Sequence, residues 1–199
     1  MQSLHLLYHE LRPDKSRYTY VTTCDEFATH CALFARLQAA SGEDRMRPEI
    51  TFDDGHVSDF RQARPVLDRF GLRATFFITA GWTATRAGYM DWAQLRTLRA
   101  EGHRIGAHGM THQLLTACSA VELDRELRGA RAKLEDGLGA PVRSLSLPGG
   151  RANGRVLRAC RETGYTEVFT SEPRAEVMDL HPETVGRLNL VGRHDHGVA

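Results

Sequence analysis

Two groups of residues have the types and spacing to do chemistry together. Asp53 and Asp54 are adjacent carboxylates followed by Gly55, and His108 and His112 lie four residues apart. Two neighbouring carboxylates repel each other, and a cation bound beside them relieves that repulsion. Histidines four apart meet on one face of a helical turn and can bind one metal ion. Each motif alone is typical of a structural turn, but together they predict a metal site.

A ligand set of one aspartate and two histidines leaves coordination positions open for water and substrate, as catalytic metal sites do. The metal ion activates the water, and the carboxylate that is not a ligand can take the proton as general base. The reaction also needs donors for the oxyanion and an acid for the leaving amine. The backbone N–H groups of Gly149 and Gly150 are candidates for the donors, and His9 is the candidate acid. The combination predicts a metal-dependent amide hydrolase.

Alternating strands and helices must position these residues. The hydrophobic pattern predicts seven strands separated by about five helices, which indicates an α/β fold with a mostly parallel sheet. Capping boxes predict helix starts at Thr23, Asp91 and Ser119, Asn153 caps a further helix, and Pro65 should kink its helix or delay the helix start. Periodicity leaves an open sheet and a closed barrel as alternatives. The predicted strands are residues 4–8, 49–52, 74–79, 103–107, 145–147, 167–170 and 185–191.

Four polar clusters come directly after predicted strands. They are residues 8–10, 53–55, 108–112 and 148–150. In parallel α/β folds the carboxyl ends of the strands share one face, and ligands bind there. The sequence therefore predicts that these four distant segments converge on one site.

Composition and charge exclude several classes of function. The 199 residues fit one domain, and we expect a single catalytic domain over residues 1–199. A net charge of +1 gives no field that would attract a polyanion, so we expect no nucleic-acid partner. The N-terminus lacks the pattern of a secretion signal, and no apolar run approaches the roughly 20 residues that span a bilayer. We therefore expect a cytoplasmic protein without membrane insertion, and the sequence indicates no oligomeric state.

The motifs resemble those of a known family. Thr51-Phe-Asp-Asp-Gly55, the histidine pair four apart and the later Pro148-Gly149 turn are similar to the polysaccharide deacetylases with a NodB-like domain, carbohydrate esterase family 4. The resemblance extends to the segments 74–78 and 101–108 and covers essentially the whole chain. It implies a distorted (β/α)7 barrel that removes acetyl groups from sugars, usually from N-acetylglucosamine units.

The resemblance also implies a role for each matching residue. Asp53 is the catalytic base, while Asp54, His108 and His112 hold one divalent metal ion, usually Zn²⁺, with Co²⁺ or Ni²⁺ as alternatives. Gly149 lends its backbone N–H to the oxyanion. The expected partner is an acetylated amino sugar or a glycan that contains one.

Two positions are alternatives for the catalytic acid. Tyr8-His9-Glu10 is similar to an N-terminal motif in the branch that resembles exopolysaccharide deacetylases, and this favours His9. Other members carry the acid near the C-terminus, where His194-Asp195 is a superficial match in a polar tail. We expect His9 to be the acid.

Residues 146–150, which contain the Pro148-Gly149 turn and which we call the third motif, depart from the family pattern. Ser146 stands where an arginine usually orients the catalytic aspartate, and the usual groove-lining tyrosine is absent. Arg151 is either a substitute for that arginine or an exposed loop residue, and Arg187 is either structural or in contact with Asp53. Trp82 is either a packing residue or a platform for a sugar ring. The departures leave two other functions open: a same-fold amide hydrolase that acts on a non-sugar acylated amine, and a catalytically impaired glycan-binding domain.

Overall fold

A parallel sheet of eight strands organises the molecule. The computed structural model describes residues 2–40, 46–171 and 184–190. Two further strands form a small separate pair, β2 with β3. The strands are β1 Gln2–Tyr8, β2 Glu10–Arg12, β3 Val21–Thr23, β4 Met46–Phe52, β5 Ala74–Ile78, β6 Arg104–Ala107, β7 Ser144–Ser146, β8 Glu167–Phe169, β9 Thr184–Val185 and β10 Leu188–Asn189. In the large sheet their order is β10-β1-β4-β5-β6-β7-β8-β9.

The last predicted strand closes this sheet into a barrel. Instead of one strand over 185–191, the chain forms β9, which pairs with β8, and β10, which pairs with β1. One short segment thus completes both edges of the sheet, and Arg187 lies between its two halves. The two ends of the sheet therefore meet in one short stretch of chain, as the closure of a barrel requires. The other six predicted strand positions are confirmed, and the expected distorted (β/α)7 barrel is confirmed with them.

The central strands present one set of side chains to the helices and another set to the inside of the barrel. Successive side chains of a strand point to opposite faces of the sheet. Tyr8 and Phe52 stack at 5.4 Å, Phe52 and Phe76 stack at 5.1 Å, and Phe27 from the first helix packs edge-on against Tyr8 at 5.0 Å. These rings belong to the core between sheet and helices. Thr51, one residue before Phe52, takes the opposite face, inside the barrel.

The helices begin where their caps predict. Capping boxes at Thr23, Asp91 and Ser119 are present, and the side chain of Asn153 accepts the N–H of Val156. The helices are α1 Cys24–Ala39, α2 Arg64–Arg69, α3 Trp92–Ala100, α4 Ala120–Asp124, α5 Ala130–Leu138 and α6 Gly154–Thr163. None of the described helices is long and apolar enough to cross a membrane.

Two helices contain a wider turn that the sequence did not predict. A π-helical turn, Asp59–Ala63, precedes α2, so that Pro65 falls in the first turn of the α-helix. Residues 57 and 58 are already helical and Ala63 keeps helical backbone angles, so the alternative that Pro65 delays the helix start is wrong. The chain accommodates Pro65 with the wider turn directly before it, where the regular helical hydrogen-bond pattern is interrupted. A second π-helical turn, Arg125–Gly129, joins α4 to α5.

Candidate functional site

Asp53 is fixed by a buried arginine. It follows β4 directly and is 2% exposed. Nη1 of Arg187 donates to its Oδ1 at 2.7 Å, Nη2 of Arg187 donates to its Oδ2 at 2.8 Å, and the hydroxyl of Ser146 donates to Oδ2 at 2.9 Å. A planar fork that meets both carboxylate oxygens fixes orientation as well as charge. Burial raises the pKa of Asp53, but the charges of Arg187 and His108 and the hydrogen bonds from Arg187 together outweigh it and hold the pKa below its usual range.

Every donor of the Arg187 guanidinium has an acceptor. Besides the two bonds to Asp53, Nε donates to the carbonyl of Thr170 at 2.9 Å, Nη1 to the hydroxyl of Thr51 at 3.2 Å, and Nη2 to the hydroxyl of Ser146 at 2.7 Å. The guanidinium also lies 5.5 Å from the ring centre of Phe77. An arginine has five N–H donors, so this buried cation leaves none unpaired. Arg187 therefore acts on Asp53 directly, which decides between the two alternatives for it.

The side chain of Asp54 contacts the two histidines, whereas that of Asp53 contacts Arg187. Its φ is +74° and that of Gly55 is +82°, so the chain turns sharply after the strand. The turn places Oδ1 of Asp54 3.3 Å from Nε2 of His108 and 3.1 Å from Nε2 of His112. Two adjacent aspartates thus take different partners because only one of them has extended backbone geometry.

The two histidines lie in a loop. Residues 108–112 follow β6 without forming a helix, and Gly109 and His112 have φ of +76° and +66°. The predicted helical turn is therefore wrong, although both rings reach the same aspartate. The Nδ1 of His108 is 2.9 Å from the carbonyl oxygen of Ser146. A carbonyl only accepts, so Nδ1 carries the proton, and in the neutral ring the lone pair of Nε2 faces Asp54.

These three side chains fit a divalent cation. The ligand atoms of Asp54, His108 and His112 all lie within 4.8 Å of one another. Oδ1 of Asp54 is buried and has no hydrogen-bond partner among the described residues. A buried carboxylate oxygen is costly without a partner, and in the neutral state of His108 it faces a ring nitrogen with a lone pair to share. A cation bound by all three groups satisfies these atoms.

A second cluster of possible ligands, Asp68, Glu101 and His103, does not fit a metal ion. Nδ1 of His103 accepts the N–H of Ala74 at 3.2 Å, so in the neutral ring Nε2 carries the proton and has no lone pair to offer. Glu101 already accepts from Nε of Arg64 at 2.6 Å. Among the described residues, the cluster around Asp54 alone has the chemistry of a metal site.

His9 lies in the same cavity as the acidic pair and the histidines. The cavity has a volume of about 190 Å³. The ring of His9 packs 4.7 Å from that of Tyr20, and its buried Nδ1 has no partner among the described residues. Burial lowers the pKa of His9, although the charges of Asp53 and Asp54 oppose this. The cavity is lined by Leu7, His9, Tyr18, Tyr20, Asp53, Asp54, His108, His112, Gly149, Ser171 and Asn189.

The third-motif residues take separate positions. Gly149 lines the cavity with a φ of +67°, whereas the N–H of Gly150 donates to the carbonyl of Leu147 at 2.8 Å and closes a tight turn. Of the two glycines, Gly149 therefore stays the candidate oxyanion donor, and Gly150 does not. Arg151 is exposed and Arg187 occupies both carboxylate oxygens of Asp53, so of the two alternatives for Arg151 the structure supports the exposed loop residue.

Other predictions have mixed outcomes. Trp82 stacks on the ring of His112 at 5.4 Å, so it packs against a candidate ligand. His194 lies outside the described residues. Motif reasoning assigned no role to Ser146, which is hydrogen-bonded to both Asp53 and Arg187, and it missed Tyr18 and Tyr20. A signal for Arg187 was available, since it is the only charged residue of the predicted strand 185–191.

Comparison with known proteins supplies the family. A family model described as polysaccharide deacetylase matches residues 43–168, well over half of the chain. The chain belongs to the polysaccharide deacetylase family. The matched region contains the aspartate pair, both histidines and the Pro148-Gly149 turn, but neither His9 nor Arg187.

Individual relatives agree with this family. The peptidoglycan-N-acetylglucosamine deacetylase of Bacillus cereus is 30% identical over 123 residues, which are 61% of this chain and 55% of that protein. The chitooligosaccharide deacetylase of Sinorhizobium fredii is 28% identical over 144 residues, which are 71% of this chain and 65% of that protein. The chain spans about half the length of the first curated relatives it matches.

The fold is shared with solved deacetylase structures. The Streptococcus pyogenes deacetylase PplD, solved in complex with acetate, superposes with a TM-score of 0.84 over 96% of this chain and 93% of that chain, at 17% identity. At this identity the likeness concerns the fold alone. It confirms the NodB-like barrel that the motifs implied.

The Arg187–Asp53 pair generates a stability prediction. Replacing Arg187→Met leaves a buried carboxylate without its cation, which costs about 3–5 kcal/mol of unfolding free energy. Urea unfolding of this variant measures the loss. As a control, the double variant Asp53→Asn/Arg187→Met removes both charges and should recover a large part of the loss. If the single Arg187→Met variant is as stable as the unchanged protein, the pair does not hold the barrel as described.

Proposed function

We propose that this chain hydrolyses the N-acetyl group of an amino sugar, or of a glycan that contains one, with the help of one divalent metal ion. The observation that carries the proposal is the convergence of Asp54, His108 and His112 on one point beside the buried carboxylate of Asp53. Membership of the polysaccharide deacetylase family supports the reaction class.

The metal ligands in this proposal are Asp54, His108 and His112. When bound there, a divalent ion, Zn²⁺ first and Co²⁺ or Ni²⁺ as alternatives, polarises the amide carbonyl and lowers the pKa of water. The proton on Nδ1 of His108 is held by the Ser146 carbonyl, which keeps the ring in the tautomer that such a ligand needs.

Asp53 acts as the general base. Its Oδ2 lies 3.9 Å from Nε2 of His108, so the carboxylate stands next to the ligand cluster while both its oxygens are bonded to Arg187. Because Arg187 lowers the pKa of Asp53, the carboxylate is ionised at neutral pH and ready to accept a proton from the attacking water. The same bonds prevent it from turning towards the metal position.

His9 and Gly149 complete the reaction. His9 donates a proton to the leaving amine. Burial lowers the pKa of His9, and the charges of Asp53 and Asp54 offset part of that lowering. The backbone N–H of Gly149 stabilises the oxyanion of the tetrahedral intermediate. Both residues line the cavity that contains the aspartates.

The rim of the cavity suits a sugar ring. Tyr18 and Tyr20 line it and remain 59% and 42% exposed, with their rings 5.6 Å apart. Exposed aromatic faces provide an apolar surface for the C–H face of a sugar, and here they come from the segment between β2 and β3 rather than from the third motif. Two relatives are named for peptidoglycan N-acetylglucosamine and for chitooligosaccharides, which supports N-acetylglucosamine units as the substrate.

An acetate-release assay tests the proposed function. The panel contains N-acetylglucosamine, its short oligomers, and O-acetylated sugars of the same length. We expect release from the N-acetylated oligomers, loss of release after chelation, and recovery when Zn²⁺ is added. Undiminished release from protein shown to be free of metal would refute the metal mechanism, and no release from any N-acetylated sugar would refute the substrate class.

Asp53→Asn separates the base from the metal ligands. The ligands stay in place, so the variant should bind Zn²⁺ as the unchanged protein does, while kcat falls by about 10²–10⁴-fold because the base is lost. Asp54→Asn is the matched control and should lose Zn²⁺ binding. Steady-state kinetics and metal analysis of the two variants check the assignment. Normal turnover of Asp53→Asn would show that the roles of the two aspartates are wrongly divided.

His9→Ala tests the acid. We expect kcat to fall by about 10²–10⁴-fold, because the leaving amine loses its proton donor. His194→Ala is the matched variant at the alternative position and should keep normal kcat. The reverse pattern in steady-state kinetics would assign the acid to His194.

A further inference from the structure

The loop that carries the two histidines is held by hydrogen bonds on one side. We call residues 108–112 the histidine loop. The carbonyl of Gly109 accepts the N–H of Ala80 at 3.0 Å, and the carbonyl of Met110 accepts the N–H of Gly81 at 2.8 Å. These bonds fix the loop against the segment that follows β5.

Glu126 holds the opposite side of the histidine loop. Its Oε2 accepts the N–H of Met110 at 2.8 Å and the N–H of Thr111 at 2.9 Å, and its Oε1 accepts the hydroxyl of Thr111 at 2.5 Å. The approach is so close that a Cβ on Gly109 would lie 2.8 Å from Oε2. One carboxylate thus takes three donors from two consecutive loop residues.

The burial of Glu126 is not explained by packing or by an ion pair. Its side chain is 2% exposed, and within the described residues no lysine or arginine pairs with it. Burying a carboxylate is costly unless strong hydrogen bonds compensate, and here the donors of the histidine loop provide them. Glu126 lies in the π-helical turn Arg125–Gly129, next to Leu127, which is fully buried in the core. The loop is therefore attached to a rigid part of the fold.

The two histidines depend on this attachment to different degrees. His108 has its own anchor, the Ser146 carbonyl, and is 2% exposed. His112 has a left-handed backbone, and its side chain is 36% exposed. Without Glu126, three donors of Met110 and Thr111, directly before His112, lose their acceptor. The position of Nε2 of His112 relative to Asp54 is then free to change.

We propose that Glu126 is a positioning residue that sets the distance between the two histidine ligands and so determines metal affinity. The inference rests on the proposed function, because it assumes that Asp54, His108 and His112 bind the metal. Glu126 does not touch the metal position or the substrate cavity. Its effect is transmitted through the backbone of Met110 and Thr111.

Zn²⁺ affinity, measured by competition with a chromophoric chelator, tests the proposal. Glu126→Ala should bind Zn²⁺ about 10–100-fold more weakly, as is typical when a group that orients a ligand is lost. Glu126→Gln should stay within about threefold of the unchanged protein, because the amide oxygen can accept both N–H groups and its NH₂ can donate to the Thr111 hydroxyl. Normal affinity in Glu126→Gln would show that the histidine loop needs the hydrogen bonds of residue 126 and not its negative charge.

Glu135→Ala is the matched control. Glu135 lies in α5, where its carboxylate also accepts a backbone N–H, that of Val142 at 2.9 Å, and pairs with Arg131. Its loss removes similar interactions far from the histidine loop and should leave Zn²⁺ affinity unchanged. The Co²⁺ absorption spectrum should change in Glu126→Ala and not in Glu135→Ala, because only the former alters ligand geometry.

The outcomes are distinct. Unchanged affinity in Glu126→Ala, or an equal loss in Glu135→Ala, overturns the proposal while the proposed function stands. If Glu126→Ala does not fold, Thr111→Val decides, since it removes only the hydroxyl bond: affinity weaker by a few-fold supports the proposal and unchanged affinity overturns it. If the unchanged protein binds no Zn²⁺, the proposed metal site fails, and this inference fails with it.

Discussion

The bidentate pair between Arg187 and Asp53 is the interaction on which the rest of the structure depends. It joins the segment that completes both edges of the sheet to the end of a central strand, across 134 positions of sequence. Inside the barrel neither charge is stable alone, because a buried ion without a partner loses its hydration with no compensation. Closing the barrel and placing a fixed carboxylate at its mouth are therefore one structural event.

This pair also explains how two adjacent aspartates serve different purposes. Asp53 continues the extended geometry of its strand and points into the barrel, where both oxygens are bonded to Arg187. Asp54 has a left-handed backbone and turns towards the histidines. The repulsion between neighbouring carboxylates is reduced because one faces a guanidinium and the other faces two imidazoles. The proposed division into a base and a ligand follows from this difference in surroundings.

Local patterns in the sequence predicted the parts of the molecule that depend on local physics. The first six predicted strands, the capping residues and the convergence of distant polar segments were correct, since periodicity and capping act over a few residues. The last predicted strand is divided into two, and the short strands β2 and β3 were not predicted. The helical turn between His108 and His112 was wrong because a spacing of four also fits a loop with left-handed residues. The sequence did not show whether Arg187 contacts Asp53. Arg151 was an alternative for the arginine that orients Asp53, because it lies next to the third motif in the sequence. Nearness along the chain does not predict which arginine reaches a buried carboxylate.

The most direct test of this account is a crystal structure of the protein grown with Zn²⁺, with anomalous diffraction recorded at the zinc absorption edge. The account predicts one strong anomalous peak about 2.0–2.2 Å from Oδ1 of Asp54 and from Nε2 of both His108 and His112. Asp53 should remain bonded to Arg187 outside the ligand set. A peak ligated by Asp53, a peak at the Asp68, Glu101 and His103 cluster instead, or ordered ligand side chains without any peak would contradict it.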